Sequence, residues 1–331
     1  MENNYIYIPD KSQNEEFRCR VPLQDTEQVF VVDGKGEKQG LDLGRGEILP
    51  KMLQVIAVRS SQAQEDLSYS TDYVLAERAQ AKVLLCSHTL SMEDFTTHET
   101  VNVDLGEGAI LDMVVMQNEH NKSRHSTSFK VQMAQGAVFN LNVITLHGGE
   151  ISNEIEVNLN GKGGECCVNG LYLASGQQRV STKVNIFHNV PECHSSQLFK
   201  GILDGESRTS FSGKIYVAKD AQKTEAYQAN NNLLASKTAK AYTQPHLEIY
   251  ADDVKCSHGA TVGSLNEDEL FYMRSRGIAK DEAKLLQQQA FAYAVLEKVG
   301  NENLRERLHS LLESRLRGEF SECANCSKHC C

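Results

Sequence analysis

From about residue 100 onward the sequence repeats itself at a near-fixed spacing, and few architectures accept such a repeat. Val101-x-Val103-x-Leu105 runs into Gly106-Glu107-Gly108-Ala109 and then the apolar stretch Ile110 to Val115. Phe129-x-Val131-x-Met133 runs into Ala134-Gln135-Gly136-Ala137 and then Val138 to Ile144, an offset of 28 residues. Ile155-x-Val157-x-Leu159 runs into Asn160 to Gly164 and then Cys166 to Leu173, an offset of 26. Farther on, Ile215-x-Val217 lines up with Leu247-x-Ile249 at an offset of 32. Each unit reads as strand, glycine turn, strand. A unit of that size cannot bury its apolar face alone and must stack on its neighbours, which is the logic of a solenoid. No helical pattern of ten or more residues interrupts positions 95 to 262, so βαβ crossovers are not expected. A β-sandwich would place strands about 8–12 residues apart. The expected fold is mainly β: a parallel β-helix over residues 51–263.

The flanks differ. Residues 1–50 form a weakly patterned segment in which Tyr5, Tyr7 and the Phe30-Val31-Val32 run could be short strands. Cys19, between Arg18 and Arg20, is read as an incidental surface thiol. After Gly263 the period changes to that of helices, and residues 264–320 are expected to form a C-terminal α-helical domain. Asn266 with Glu269 reads as a capping box opening a short helix that stops at Gly277. A second helix is expected from about Ala279 to Val299, and a third from about Glu302 to Arg317 with a stripe of Leu304, Leu308, Leu311, Leu312 and Leu316. Such helices would cap the open end of the solenoid or present a docking face.

Composition narrows the function. The net charge of −10 argues against a large nucleic-acid footprint, which needs a basic stripe. No apolar stretch reaches the ~18 residues of a membrane span, and Met1 to Glu16 lacks the basic and apolar regions of a secretion signal. A cytoplasmic location is expected. There the ten cysteines would be reduced thiols or metal ligands rather than a disulfide framework. Residues 321–331 form a cysteine-rich tail, and Cys323, Cys326, Cys330 and Cys331 are candidate metal ligands. One Cys-x-x-Cys pair lacks the second pair that marks a zinc ribbon, so a reduced, unstructured tail is the competing reading.

The stretch PHLEIYADDVKCSHGATVG (245–263) draws attention for another reason. Cys256 and His258 are two residues apart, so an extended backbone places both on one face, roughly 6–7 Å apart at the Cα atoms. A thiol and an imidazole so placed suit a soft metal, a proton shuttle or a partner surface. On its own such a pair is more often structural than functional, and two ligands do not complete a metal site.

That stretch, with GKIYVAKDAQKTEAYQANNNLL (213–234) before it and LFYMRSRGI (270–278) after it, resembles the SufB/SufD family of iron–sulfur cluster assembly proteins, and its SufD branch more than its SufB branch. The resemblance extends from about residue 80 to 320. It implies a right-handed parallel β-helix with a C-terminal helical domain. It also implies pairing with SufB through the β-helix end and docking of the SufC ATPase on the helices. Cys256 and His258 fall on the family's subunit-interface motif, where a nascent cluster forms. Asn266, Glu267, Leu270, Phe271, Arg274, Arg276 and Gly277 fall on the stretch implied to meet SufC. No tightly bound cofactor is expected, only a transient cluster or iron at the SufB–SufD interface. Family members carry an N-terminal helical domain ahead of the strands, for which the first 50 residues here show no pattern.

The resemblance implies a non-catalytic scaffold subunit, able to pair with itself when alone, with neither nucleic acid nor membrane as partner. The chain has no Gly-x4-Gly-Lys-Ser/Thr motif, so any ATP effect must come from a partner. A SufB-type scaffold that holds the cluster itself is the first alternative. A polysaccharide-acting β-helix enzyme using Asp252, Asp253 and Lys255 is the second. A thiol protein acting through its tail is the third.

Overall fold

The computed structural model describes residues 6–7, 16–17, 23, 26–36, 40–60, 65–89 and 93–318. A short antiparallel pair, β1 (Ile6–Tyr7) and β2 (Glu16–Phe17), precedes the main body. The body runs through β3 (Thr26–Val32), β4 (Gly40–Leu43), β5 (Met52–Arg59), β6 (Asp66–Leu75), β7 (Gln80–Thr89), β8 (Phe95–Leu105), β9 (Ile110–Asn118), β10 (Ser123–Met133), β11 (Val138–His147), β12 (Glu150–Leu159), β13 (Glu165–Ala174), β14 (Arg179–His188), β15 (His194–Leu203), β16 (Arg208–Val217), β17 (Glu225–Leu234), β18 (Lys240–Ile249) and β19 (Lys255–Ser264). Odd-numbered strands from β3 to β19 form one nine-stranded parallel sheet, and even-numbered strands from β4 to β18 form an eight-stranded one. The chain therefore alternates between two facing sheets, two strands to a coil, as a β-solenoid of about eight turns.

The repeat sets the register. Val101 pairs with Phe129 and Phe129 with Ile155, the offsets of 28 and 26 seen in the sequence. Ile215 pairs with Leu247 at the offset of 32. Inward positions stack rung on rung into one apolar column system, with Val103, Val131, Val157 and Ile186 among its fully buried members. The ladder starts earlier than the repeat is visible: Thr26–Val32 pairs in parallel with Met52–Val58.

The two sheets are buried differently. Even strands alternate buried and open, as in β16, because only their inner face is covered. Odd strands from β5 to β13 are buried almost continuously in their second halves. Their outward side chains, among them Leu84, Val114, Ile144 and Leu171, pack against Ala292, Val295, Leu304, Leu308 and Leu312 of the helices. Helices α1 (Glu267–Ser275), α2 (Lys280–Leu296) and α3 (Glu302–Leu316) follow the last strand. The helices do not cap the open end, one of the two roles expected of them: α2 and α3 lie on the outer face of the nine-stranded sheet, and the side chains of β19 stay exposed. The leucine stripe of α3 finds more apolar area on that sheet face than at the tube's rim.

One seam of the interior is polar. Gln117 donates to Asn153 at 2.8 Å and accepts from Thr145 at 2.6 Å. His125 sits 2.7 Å from Glu119 and 3.5 Å from Glu99, all three buried. Burial pulls this imidazole down, but the two carboxylates outweigh it and raise it to about 10. His147 and His188 lack such partners, and burial lowers them to about 3 and about 4.

Two stability predictions follow from this packing. A Cβ on Gly161 would stand 1.9 Å from the Gln135 amide nitrogen, whereas Gly163 has open space and a φ of +72°. Gly163→Ala is expected to cost about 1 kcal/mol of backbone strain, and Gly161→Ala several times more, read from urea unfolding midpoints. On acidification the unfolded chain protonates His147 and His188 near their ordinary value, while the folded chain resists until about 3 and about 4. Stability is thus lost as pH falls from about 6.5 toward 4, on the order of 2 kcal/mol per histidine at pH 5. The double variant His147→Asn/His188→Asn should show a flatter loss between pH 7.5 and 5 than the parent. His125 acts in the opposite sense, its contribution present below about pH 6.5 and fading as pH rises toward about 10.

Candidate functional site at the open end of the solenoid

A parallel ladder must end, and here it ends in two strands bonded on one side only, β18 and β19. Their free edges carry a row of backbone donors and acceptors with no partner strand. The small core behind them is Ile215, Val217, Ala221, Ala226 and Ala251, with Leu247, Val254 and Cys256 packed against it. Tyr242 and Tyr250 are each 60% exposed and Val262 is 45% exposed, so apolar side chains also stand open there. An aromatic file on the outer face of the eight-stranded sheet, Phe187 to Tyr216 to Tyr250 at centroid spacings of 5.8 and 5.6 Å, runs out to the same end.

Cys256 and His258 lie on β19, two residues apart and on one face of the strand. Their ladder partners on β17 are Ala226 and Gln228, both buried and inward-facing. The pair therefore continues the inward columns of the tube by one rung, where the lumen opens. Cys256 is half-buried and His258 exposed. Burial pushes the Cys256 thiol up, offset in part by a hydrogen bond with the backbone of Ala226. One rung in, Gln228 donates to Gln197 at 2.8 Å, and its Oε1, buried, has no partner. Gly213 makes room for that amide, since a Cβ there would stand 2.2 Å from Gln228 Nε2.

The asparagine run beside it is structural support. Tyr172 donates to Asn232 at 2.6 Å, Asn230 donates to the Tyr172 hydroxyl at 3.1 Å, and Asn232 donates to Asn230 at 2.7 Å. Asn231, on the other face, donates to Thr261 of β19 at 2.7 Å. Lys255 pairs with Glu225 at 2.7 Å. These bonds fasten the terminal strand to the rung beneath it. Sequence reasoning missed Tyr172, Gln228 and the exposed Tyr242 and Tyr250; a polar residue at every second position of 228 to 232 was the available signal.

The second candidate surface starts two residues after β19. Asn266 caps α1, its side chain accepting from the Asp268 and Glu269 amides. Its own N–H donates to Gln287 of α2 rather than to Glu269, so the cap also ties the two helices. At the other end, Gly277 at φ +87° closes a Schellman motif: Gly277 N–H donates to Arg274 and Ile278 N–H to Met273. Leu270 is buried against Leu265 and Ala283 and holds α1 to α2. Phe271 is 74% exposed, and Glu267, Arg274 and Arg276 are exposed with it. A groove of about 660 Å³ lies beside them, with Leu233, Tyr272, Met273, Leu286 and Phe291 in its walls and Asp268 and Glu269 on its rim.

Cys323, Cys326, Cys330 and Cys331, like Cys19, lie outside the described residues. Among the described residues no group of three or more His, Cys, Asp or Glu is arranged to hold a metal ion. No helix among them is long and apolar enough to cross a membrane.

Comparison with known proteins gives this geometry a family. Residues 58–291 match the SufBD core domain of the SUF system for iron–sulfur cluster assembly. The chain belongs to the SufBD family. It is 33% identical over 279 residues to the iron–sulfur cluster assembly protein SufD of Escherichia coli, covering 83% of this chain and 66% of that protein. A SufBD family protein of Synechocystis is 30% identical over 241 residues, 73% of this chain and 53% of the relative. One of Mycobacterium leprae is 29% identical over 200 residues, 58% and 51%. The chain thus spans about half to two thirds of the lengths of these relatives. The matched segment contains every coil from β6 to β19 together with α1.

The accessibility of the edge has a direct chemical readout. In the native protein at pH 7.5, Cys256 should react with iodoacetamide more slowly than a free thiol, and faster as pH rises. Buried Cys86, Cys166 and Cys193 should label only after denaturation, as peptide mass spectrometry would show. Native Cys256 labelling no faster than Cys166 would mean the edge is closed.

Proposed function

We propose that the chain is a SufD-like scaffold subunit of a SufB–SufC–SufD assembly in the cytoplasm. It pairs with SufB through β18 and β19 and docks the SufC ATPase on the helices. The observation that carries this reading is the uncovered terminal rung, with its backbone edge free and Cys256 and His258 at the mouth of the tube. A second parallel or antiparallel strand would satisfy that edge by β-augmentation.

In this reading the iron–sulfur cluster is cargo rather than a resident group. The edge offers one thiol and one imidazole, fewer donors than a cluster requires, so the remaining ligands come from SufB. That division keeps the subunit non-catalytic and makes its contribution positional. Alone, two copies could pair by the same edge. Phe271 and the adjoining groove, with its acidic rim, supply the surface for SufC.

Anaerobic co-expression with SufB and SufC tests the reading. His258→Ala should leave the three-protein complex intact on gel filtration while cluster content, read by its visible absorbance, falls severalfold. Phe271→Glu should release SufC and leave the SufB pairing in place. Unchanged cluster content in His258→Ala removes that residue from the mechanism, and failure of the parent chain to co-purify with SufB overturns the pairing.

A further inference from the structure

The start of the even strands carries a second feature, a row of charged residues that runs along the eight-stranded sheet from β10 to β16, one rung short of the terminal strand β18. Arg124, Glu150, Arg179 and Arg208 occupy one register position on β10, β12, β14 and β16. Adjacent rungs of a parallel sheet are about 4.8 Å apart, so Arg179 and Arg208 are direct neighbours and Arg124 stands two rungs away. With Lys122 they line a groove of about 440 Å³ whose floor is the corner at Gly149. That floor is fixed from below: Gln178, buried, donates to Asn121 at 3.0 Å, and Ser175 N–H donates to Gln178 at 2.9 Å.

What sets the groove apart is that its arginines make no direct ion pair, although Asp94, Glu150 and Glu206 share the lining. On the same sheet Lys183 pairs with Glu154 at 2.6 Å and Lys214 with Glu248 at 3.7 Å. Among the described residues, the Arg124, Arg179 and Arg208 side chains make neither an ion pair nor a hydrogen bond, although Glu150 is one rung from two of them. Three arginines whose Cα atoms the ladder holds in one register, with Glu150 between Arg124 and the other two, form a cationic row in a chain of net charge −10.

We propose that this groove binds the diphosphate group of a small phosphorylated molecule. Arginine forks match phosphate oxygens two at a time, and neighbouring rungs place two forks side by side. The size is that of a small-molecule site, about 300–1,000 Å³. Asp94, which pairs with Lys122 at 3.8 Å, Glu150 and Glu206 also line the groove, so the anion has to be short enough to meet the guanidiniums and not the carboxylates. The lining contains no aromatic ring on which a base could stack, so it is the phosphates that are recognised. Its inner part, from β10 to β14, lies at least two rungs from β18, the terminal strand of the pairing edge, and Arg208 of β16 is the residue nearest that edge.

Isothermal titration of the purified chain with pyrophosphate, ADP, AMP and inorganic phosphate, at constant ionic strength, tests it. Pyrophosphate and ADP should saturate one site, with AMP and phosphate at least about tenfold weaker. Arg179→Gln/Arg208→Gln should weaken pyrophosphate by at least about tenfold, with Arg124→Gln intermediate, while Lys183→Gln leaves binding unchanged. Unchanged circular dichroism would show that these exposed substitutions leave the fold intact. Equal affinity for pyrophosphate and ADP assigns the site to the diphosphate alone; tighter ADP assigns it to nucleotides. Absence of saturation by both, or full binding by the double variant, overturns the proposal.

Discussion

Everything in this molecule rests on parallel backbone pairing from one rung to the next. Each coil satisfies its hydrogen bonds only by lying on its neighbour, and buries its apolar face only there. Such a stack has no natural end. A closed barrel removes its edges; a solenoid of about eight turns keeps two, and must cover them or use them. Here the helices that could have covered the C-terminal edge lie along the outer face of the nine-stranded sheet, against Leu84, Val114, Ile144 and Leu171. The last rung is left open because the apolar area that would have drawn the helices over it was placed elsewhere.

The periodic part of this design could be read directly from the residues. The offsets of 28, 26 and 32 are the ladder's own register, residue for residue. Helix ends were equally legible, since Asn266 and Gly277 act through local backbone geometry. Where the helices pack was not legible. Runs such as Val83-Leu84-Leu85-Cys86 announce a strand buried on both faces, yet an apolar run does not say what lies on its far side. The early coils were hidden for a related reason: β3 and β4 carry few apolar residues in alternation, and only their pairing with β5 and β6 makes them rungs. At the site, Cys256 and His258 could be placed on one strand face, but their position at the mouth of the lumen depends on the register with Ala226 and Gln228.

That position shapes their chemistry. A thiol whose pKa burial has raised is mostly protonated at neutral pH, which makes it a poor ligand until something draws the proton away. In the proposed assembly an arriving metal would do so, because coordination requires the thiolate. The exposed imidazole two residues on is a borderline ligand already suited to iron. An edge that holds its thiol back until metal and partner arrive together would avoid scavenging soft metals meanwhile, which is a useful property for a scaffold.

The two proposed partner surfaces are also mechanically joined. β19 ends at Ser264 and α1 begins at Glu267, so one short segment connects the open rung to the first helix of the docking face. Leu265 within it is buried with Leu270 and Ala283, which makes that connection stiff. A displacement of α1 is therefore passed to a strand held on one side only, by its ladder to β17, the Asn231–Thr261 bond and the Lys255–Glu225 pair. Deeper strands, held on both sides, would resist the same pull. A partner gripping α1 thus acts first on the strand that carries Cys256 and His258, and the shortest path from the helical surface to the lumen's mouth is the polypeptide itself.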